Sequence, residues 1–410
     1  MILFYNFSIW FYGIAVKIVS PFNSKAKQWI VGRKNIFNKI EQSIPKNENI
    51  AWFLASSLGE FEQGRPVIEE FKIKYPNYKI LLTFFSPSGY EIRKNYTGAD
   101  YIFYLPIDSK RNATKFIKIV NPKIVFFIKY EFWFHYLKQL HKKQIPTYIF
   151  SSIFREKQLF FKWYGAWYRQ MLTFFTKIYV QETNSKELLA KININNVEIG
   201  GDTRFDRVYD LAKNAKPIEL IEQFTQDSFT VIAGSTWDKD EEIIAEYIHN
   251  STNKNIKWII APHETHKLHI DKIEKLFKLP LLKFSEANTQ NINSAQILII
   301  DSIGILSSLY RYGNIAYIGG GFGNGIHNTL EAATYGLPVI FGPNYKRFRE
   351  ACDLIDISSG FSISNLTEFK TTLNNLINDK LLREKASNSA KLYVNKMRGG
   401  TEKIISQLSI

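Results

Sequence analysis

The sequence predicts an α/β protein with two doubly wound parallel-sheet domains in tandem. Short, continuously apolar runs alternate with stretches of helical periodicity, first between residues 49 and 202 and again between residues 229 and 343. Such runs are typical of strands in a parallel sheet that helices cover on both faces. The 410 residues, 45% of them hydrophobic, are also too many for one ordinary core and suit two.

Seven apolar runs predict the strands of the first domain: NIAWFLASS, YKILLTFFS, DYIFYLP, KIVFFIKYEF, IPTYIFSS, KIYVQE and NVEIGGD. Residues 207–227 are polar and carry no strand pattern, so we interpret them as a linker. Six further runs predict the second sheet: FTVIAGST, IKWIIAPH, LPLLKF, AQILIID, NIAYIGGG and LPVIFGP. We therefore expect an N-terminal domain over residues 23–206 and a C-terminal domain over residues 228–410. Because ligands of doubly wound sheets bind at the carboxyl ends of the strands, we expect the active site in a cleft between the domains.

Residues 1–22 form a hydrophobic segment ahead of the first domain. The stretch MILFYNFSIWFYGIAVKIVS has about the length of a membrane-spanning helix, although Asn6, Ser8, Gly13 and Lys17 weaken its apolar character. The basic residues that follow, between positions 25 and 34, favour a cytoplasmic location for the rest of the chain. We predict a membrane anchor or a helix that lies in the membrane interface. The alternative is a helix that packs on the protein itself.

The formal net charge of +15 favours an anionic partner. An anionic membrane surface and a phosphorylated substrate are favoured over nucleic acid, because no zinc-finger, RNP-like or basic-zipper pattern is present. A compositional bias toward Lys, Asn and Ile is the alternative explanation of the charge. The single cysteine, Cys352, excludes an internal disulfide and fits a reducing compartment.

The segment GGGFGNGIHNTLE, residues 319–331, follows a predicted strand and precedes a helix expected to begin near Asn328. It has neither the register of a dinucleotide-binding G-x-G-x-x-G motif nor the Lys-Ser/Thr pair of a P-loop. Backbone amides and the positive end of the helix converge here, so we expect one or two phosphate charges to bind. Asn328 and Glu331 share one face of the first helical turn. They either form a capping box or hold the sugar hydroxyls of a nucleotide.

Three charged side chains follow strands of the first domain. Glu60 stands where the chain turns from the first strand into a helix, and we predict that it acts as a general base. The alternative is an ordinary acidic residue at a helix N-terminus, exposed and with a lowered pKa. Glu131, in KYEFW, lies at the same sheet edge. Arg204, in GDTRFD, either holds a carboxylate or phosphate or forms an interdomain salt bridge.

We predict no metal site and no nucleophilic serine. The segment HETHKLH places His263, His266 and His269 three residues apart, which is a spacing that invites a metal. The first of these histidines follows a strand, however, and the H-E-x-x-H spacing of zinc enzymes is absent. No G-x-S-x-G nucleophile motif occurs either.

Nine segments, taken in order, resemble the motifs of the 3-deoxy-D-manno-octulosonic acid (Kdo) transferases of lipopolysaccharide assembly. They are LGE at 58–60, SPSG at 86–89, YEFW at 130–133, GDTRFD at 201–206, AGST at 233–236, PHE at 262–264, DSIGIL at 301–306, GIHNTLE at 325–331 and GLPVIFGP at 336–343. The resemblance covers nearly the whole chain. It implies a GT-B glycosyltransferase, in which two Rossmann-like domains face a cleft.

The resemblance further implies an inverting, metal-independent transfer of Kdo from CMP-Kdo to a lipid A precursor (lipid IVA). The implied location is the cytoplasmic face of the inner membrane, and no cofactor is implied. Glu60 matches the catalytic base of the family, and Glu131 and Arg204 match positions that stabilise the transition state. The segments that match the CMP-binding positions contain Pro262, His263, Ile303, Gly304, Ile305, Asn328, Thr329, Leu330 and Glu331.

Four of these positions depart from the family pattern. Arg204 stands in place of Lys, His263 in place of Arg, Ile305 in place of Glu, and Thr329 in place of Pro. An arginine keeps the charge of a lysine but changes its geometry. Two alternative functions stay open at this point: a GT-B envelope glycosyltransferase with a UDP-sugar donor, and a non-catalytic membrane-associated sugar-binding protein.

Overall fold

The computed structural model of the protein describes residues 1–251 and 255–409, which form two compact units. The first unit comprises Met1–Arg207 and the C-terminal residues from Arg398 onward, and the second comprises Val208–Met397. The C-terminal residues were expected in the second domain. They join the first unit because the Asp206 carboxylate accepts hydrogen bonds from the amides of Gly399 and Thr401, at 2.7 and 2.8 Å.

The first unit contains a seven-stranded sheet in the order β3-β2-β1-β4-β5-β6-β7, with every neighbouring pair parallel. All six residues of the central strand are buried, as expected for a strand covered on both faces. The strands are β1 (Ile50–Ala55), β2 (Lys79–Phe84), β3 (Tyr101–Tyr104), β4 (Ile124–Ile128), β5 (Thr147–Ser152), β6 (Lys177–Val180) and β7 (Val197–Ile199).

Ten helices belong to the described part of this unit. They are α1 (Ile2–Val19), α2 (Ser24–Gly32), α3 (Ile36–Ser43), α4 (Leu58–Lys74), α5 (Pro87–Arg93), α6 (Lys110–Val120), α7 (Phe134–Lys142), α8 (Ala166–Leu172), α9 (Thr183–Ala190) and the last helix of the chain, α19 (Gly400–Ser406).

The second unit contains another parallel seven-stranded sheet, in the order β10-β11-β9-β8-β12-β13-β14. Its strands are β8 (Phe229–Thr236), β9 (Ile256–Pro262), β10 (Leu281–Lys283), β11 (Ile297–Ile299), β12 (Ile315–Ile318), β13 (Val339–Phe341) and β14 (Gly360–Ser362). The thirteen predicted strands are all present. The edge strand β14 was missed because only three residues, with little apolar character, form it.

The helices of the second unit begin with α10, which starts within the first unit. They are α10 (Arg204–Lys213), α11 (Glu219–Thr225), α12 (Asp238–Asn250), α13 (Lys267–Leu276), α14 (Leu306–Leu309), α15 (Leu330–Ala333), α16 (Arg349–Asp356), α17 (Leu366–Asn378) and α18 (Lys380–Met397). The stretch 207–227, interpreted as a linker, therefore carries two helices and no strand.

Each sheet has one point at which the direction of winding reverses. In the first sheet the chain runs from β1 out to β3 and then returns to β4 on the other side of β1. In the second sheet it runs from β8 through β9 to the edge strand β10, forms β11 between them, and returns to β12 on the other side of β8. Ligands of doubly wound sheets bind at the carboxyl ends of the strands at this reversal. The topology therefore predicts ligand-binding residues after β1 and β4 in the first sheet and after β8 and β12 in the second.

The N-terminal helix α1 packs one side on the first unit and exposes the other. The Tyr5 hydroxyl donates to Asp108 Oδ2 at 2.5 Å, and the side chains of Asn6 and His135 hydrogen-bond at 2.6 Å. Among the described residues, α1 is the one helix long and apolar enough to cross a membrane, judged by length and composition. Both the contact with the protein and the apolar outer face were considered from the sequence, and α1 combines them.

Candidate active site

Glu60 lies at the turn between β1 and α4, where its side chain folds back over the helix N-terminus. Glu60 Oε2 accepts hydrogen bonds from the amides of Ser56 and Ser57, at 2.6 and 3.0 Å. The Ser57 hydroxyl accepts in turn from the Glu60 amide at 3.5 Å, which completes a capping box. These bonds fix the carboxylate at the carboxyl end of β1.

Glu131 arrives from the neighbouring strand β4 and meets Glu60 at the reversal point of the sheet. It is 5% exposed, and the Trp133 indole donates a hydrogen bond to Glu131 Oε2. The two carboxyl groups are themselves in side-chain hydrogen-bonding contact. Since two carboxylates cannot share a hydrogen bond without a proton, the pair holds one proton between them.

The pKa values of the pair separate their roles. Burial, reinforced by the charge of Glu60, raises the pKa of Glu131 to about 8. Burial also raises the pKa of Glu60, against the lowering effect of the Ser56 and Ser57 amides. The alternative, an ordinary acidic residue at a helix N-terminus, predicted an exposed side chain with a lowered pKa. Glu60 instead has a partly buried side chain and a raised pKa. At neutral pH Glu131 therefore carries a proton.

Lys129 is a residue of this site that the sequence analysis missed. Its positive charge lowers the pKa of Glu60, so it lies within electrostatic reach of the carboxylate. Its backbone adopts a left-handed conformation with a φ of 69°, which is costly for a side-chain-bearing residue and is often found at functional sites. The only indication in the sequence was a lysine directly after the apolar run of β4, two residues before Glu131.

Arg204 is held by Asp202 in this structure. The guanidinium donates from Nε and Nη2 to Asp202 Oδ2, at 2.9 and 2.6 Å, and Asp202 is almost fully buried. The preceding residue, Thr203, donates its hydroxyl to the carbonyl oxygen of Gln63, one helical turn beyond Glu60. Arg204 thus lies next to a residue that contacts α4, and its charge is partly neutralised by Asp202.

In the second unit, the predicted donor-binding segments all follow neighbouring strands. Pro262 ends β9, and the His263 amide donates to the carbonyl oxygen of Thr236, at the end of β8, at 2.9 Å. The turn at 303–305 follows β11. There Ile303 is 89% exposed and Gly304 has a φ of +100°. The glycine-rich loop follows β12, so the three segments follow three of the four adjacent strands β11, β9, β8 and β12.

The glycines of the loop are required by close backbone packing. A Cβ on Gly319 would lie 2.3 Å from the Ser235 carbonyl oxygen, and one on Gly321 would lie 2.6 Å from Gly342. The Gly320 amide donates to the buried carboxylate of Asp240 at 2.9 Å, so a side-chain anion already occupies that donor. The predicted anion site at these amides is accordingly smaller than expected.

The helix expected from Asn328 begins at Leu330 and has only four residues. The Asn328 side chain accepts from the Leu330 amide at 3.1 Å and donates to Glu331 Oε1 at 3.0 Å. In a capping box, each of the two side chains would accept a hydrogen bond from the backbone amide of the other residue. Here the side chains of Asn328 and Glu331 hydrogen-bond directly to each other instead. The hydroxyl of Thr329 is fully buried and has no hydrogen-bond partner.

Three aromatic side chains stack beside the loop, and two of them were not predicted. The His263 ring stacks against both Trp237 and His327, with centroid distances of 4.6 and 4.4 Å. The Trp237 indole donates to His327 Nε2 at 3.0 Å, and burial lowers the pKa of His327 to about 4. His327 is therefore a neutral acceptor at physiological pH. The stack forms only because the ends of β8, β9 and β12 are adjacent.

The three histidines of HETHKLH do not converge. His263 belongs to the stack, and His266 caps α13 by accepting from the His269 amide at 3.2 Å. His269 lies between two carboxylates, with Nε2 3.1 Å from Glu241 and Nδ1 3.5 Å from Asp238. These last three side chains are near enough to hold a metal ion. Because both imidazole nitrogens already contact carboxylates, an ion would have to displace one of these contacts.

Comparison with known proteins identifies one family that the chain resembles. A family model described as 3-deoxy-D-manno-octulosonic-acid transferase (kdotransferase) matches residues 32–207, the region of Glu60, Glu131 and Arg204. The 3-deoxy-D-manno-octulosonic acid transferase of Aquifex aeolicus is 27% identical over 377 residues, covering 89% of this chain and 97% of that protein. The chain is thus similar to Kdo transferases over most of its length. The transferase of Haemophilus influenzae is 24% identical and covers 86% of this chain and 85% of its own.

Solved structures confirm the GT-B fold class of the chain. The UDP-GlcNAc 2-epimerase of Neisseria meningitidis, bound to UDP-GlcNAc, is similar with a TM-score of 0.60 and 16% identity, covering 87% of this chain and 98% of that one. MurG of Acinetobacter baumannii is similar with a TM-score of 0.56 and 11% identity, covering 88% and 98%. At these identities the likeness concerns the fold alone.

Proposed function

We propose that the protein transfers Kdo from CMP-Kdo to a lipid A precursor, lipid IVA, with inversion and without a metal ion. The observation that carries the proposal is the Glu60–Glu131 pair at the reversal point of the first sheet. Glu131 holds a proton because its pKa is about 8, and burial raises the pKa of Glu60 above its ordinary value. A carboxylate whose pKa is raised is a stronger base, which suits general-base chemistry.

In the proposed reaction, Glu60 removes the proton from the attacking hydroxyl of the acceptor. The acceptor oxygen forms a bond to the anomeric carbon of Kdo, and the bond from that carbon to the phosphate oxygen breaks. CMP leaves with the electron pair, and the proton stays on Glu60. Glu131, already protonated, donates its hydrogen bond to Glu60 and prevents two adjacent negative charges before the transfer.

Donor binding is assigned to the second unit. We assign the ribose of CMP to the Asn328–Glu331 pair and its phosphate to His263 and neighbouring amides of the glycine-rich loop. Pro262, Thr329, Leu330 and the turn at Ile303, Gly304 and Ile305 shape the rest of the site. Arg204 is assigned to the charge that develops on the leaving phosphate, for which it must share or exchange its pairing with Asp202.

We assign the protein to the cytoplasmic face of the inner membrane. Support comes from the apolar outer face of α1, where Leu3, Phe4 and Phe7 are 81%, 69% and 58% exposed. The net charge of +15 adds attraction to anionic lipids. The contacts of Tyr5 and Asn6 with the first unit fit a helix lying in the membrane interface better than a spanning one.

The donor decides between this function and the main alternative. A UDP-sugar donor is the second candidate, because the fold is shared with a protein that binds UDP-GlcNAc. The full-length protein is incubated with lipid IVA and either CMP-Kdo or UDP-GlcNAc, with a chelator present, and the lipid products are weighed by mass spectrometry. The proposal predicts lipid products heavier by one or more Kdo units with CMP-Kdo alone. A lipid product formed from UDP-GlcNAc contradicts the proposal. The absence of a Kdo-bearing product when the chelator is present also contradicts it.

A further inference from the structure

A cavity of about 1050 Å³ lies in the first unit, between α1, the segment from α2 to α3, and the loop from β3 into α6. This volume is at the upper end of what pockets for small ligands reach. Its lining includes neither Glu60 nor Glu131. The cavity is therefore distinct from the carboxylate pair.

The wall of the cavity is apolar. Ile9, Trp10 and Ile14 line it from α1, and Ile30, Val31 and Phe37 line it from the opposite side. Trp10 and Val31 are about 60% exposed, so the cavity opens where α1 presents its apolar outer face. An apolar cavity of this size that opens beside an apolar, tryptophan-bearing helix suits a hydrocarbon chain.

The rim of the cavity is cationic. Five basic side chains border it and are exposed: Lys17, Lys34, Lys110, Arg111 and Lys115. A sixth, Arg33, donates to the carbonyl oxygens of Leu105 and Phe85 and belongs to the wall. Within the described ranges, Lys17, Lys34 and Arg111 form no ion pair with an acidic side chain. The rim thus lacks an anion to match its charge.

The single acidic residue of the lining, within the described part of the chain, does not neutralise this rim. Asp108 is 1% exposed, and its oxygens accept from the Tyr5 hydroxyl and from the amides of His135 and Tyr136. Burial raises the pKa of Asp108 to about 6. Its role is to tie α1 to the loop, so the charge at the opening remains positive.

We infer that this cavity binds one acidic phospholipid of the membrane, with an acyl chain inside and the headgroup phosphate on the cationic rim. The apolar wall and the cationic rim match the two parts of such a lipid. The bound lipid extends the apolar face of α1 and fixes the orientation of the first unit on an anionic bilayer. A zwitterionic lipid has no net charge for the cationic rim to attract, so the cavity retains it less well.

The wall is tested by native mass spectrometry of the full-length protein released from micelles that contain phosphatidylglycerol. Ile14→Trp fills the cavity, and Ile18→Trp, on the same helix but 67% exposed and outside the lining, is the matched control. We expect Ile14→Trp to lower the fraction with one bound lipid about tenfold, the effect of removing roughly two methylene groups from apolar contact. Val31→Trp, at an exposed wall position, repeats the test if Ile14→Trp does not fold.

The rim is tested by charge reversal with a control of equal net charge. Lys34→Glu with Arg111→Glu changes the rim, and Lys27→Glu with Lys118→Glu changes exposed residues of α2 and α6 outside it. We expect the rim variant to lose the preference for phosphatidylglycerol over phosphatidylcholine, by about fivefold or more per charge. The control variant keeps the preference.

Equal lipid retention by the Ile14→Trp and Ile18→Trp proteins overturns the inference, as does equal retention of the two phospholipids by the unmodified protein. Retention of detergent or of lipid IVA in preference to phosphatidylglycerol assigns the cavity to another occupant and also overturns it. These measurements record binding without turnover, so their result is independent of whether the protein transfers Kdo.

Discussion

Replacing Glu131 with glutamine removes the proton that the carboxyl pair shares while keeping the shape of the side chain. The amide oxygen of glutamine still accepts from the Trp133 indole, and its NH₂ group still donates to Glu60. The variant therefore imitates the protonated form of Glu131 at every pH. Two consequences follow, one for the stability of the first unit and one for the rate of transfer.

The effect on stability follows from the raised pKa of Glu131. Below about pH 4.5, this carboxyl is protonated in both the folded and the unfolded chain. Between 4.5 and about 8 only the folded state keeps the proton, so the unmodified protein loses stability as the pH rises and loses no more above 8. At roughly 1.4 kcal/mol per pH unit, this interval corresponds to at most about 5 kcal/mol. Glu131→Gln has no such loss, so its advantage grows with pH.

Urea unfolding at several pH values between 5 and 9 measures this difference. Tryptophan fluorescence is a suitable probe, because Trp10, Trp29, Trp52, Trp133, Trp163 and Trp167 all lie in the first unit, out of eight tryptophans in the chain. Glu70→Gln, on the exposed side of α4, is the control and should follow the unmodified protein. If Glu131→Gln and the unmodified protein lose stability in parallel, Glu131 is not a buried proton carrier and the reasoning fails.

The rate of Kdo transfer by Glu131→Gln should likewise depend less on pH than that of the unmodified protein. In the unmodified protein, loss of the Glu131 proton above about pH 8 places a second charge beside Glu60 and changes the rate. In Glu131→Gln, the alkaline limb of the pH–rate profile should disappear, and the rate near pH 6.5 should remain within about tenfold of the unmodified protein. A profile that keeps its alkaline limb would assign that limb to another group.

Three further changes test the architecture around the site. Gly319→Ala should destabilise the second unit by about 1–3 kcal/mol because a Cβ there meets backbone atoms, whereas Gly323→Ala, whose nearest contact is 3.7 Å away, should be nearly neutral in urea unfolding. Asp240→Asn should cost about 1–3 kcal/mol in the same assay, since its carboxylate accepts three hydrogen bonds in a buried position. Tyr5→Phe should loosen α1 and speed proteolysis near it about tenfold through loss of a bond to a charged group, while Tyr12→Phe should not. Equal stability of the two glycine variants, or equal proteolysis of the two tyrosine variants, would contradict the corresponding contact. Unchanged stability of Asp240→Asn would contradict the role of its hydrogen bonds.

The strands of both sheets could be predicted because they are buried on both faces and are therefore continuously apolar. The edge strand β14 lacks that character, and only its pairing with β13 identifies it. The return of the C-terminus to the first unit depends on Asp206 meeting amides almost two hundred residues away. No local pattern records a contact at that separation.

The candidate site divides in the same way. The position of Glu60 follows from a local strand–turn–helix pattern, so the sequence was sufficient to place it. Its pKa is raised by burial, and its carboxyl partner Glu131 arrives seventy-one residues later, after another strand. The stack of Trp237, His263 and His327 likewise forms only when three strand ends become neighbours. Sequence patterns thus located individual candidate groups, and the sheet order determined which of them meet.

The central claim is that Glu60 is the base that activates the acceptor. A single-turnover comparison of the unmodified protein and Glu60→Gln, with CMP-Kdo and lipid IVA and with CMP binding measured by calorimetry on the same samples, tests it most directly. The account predicts that the glutamine variant binds CMP with unchanged affinity and transfers Kdo at least about a hundredfold more slowly. Turnover at the rate of the unmodified protein would contradict it.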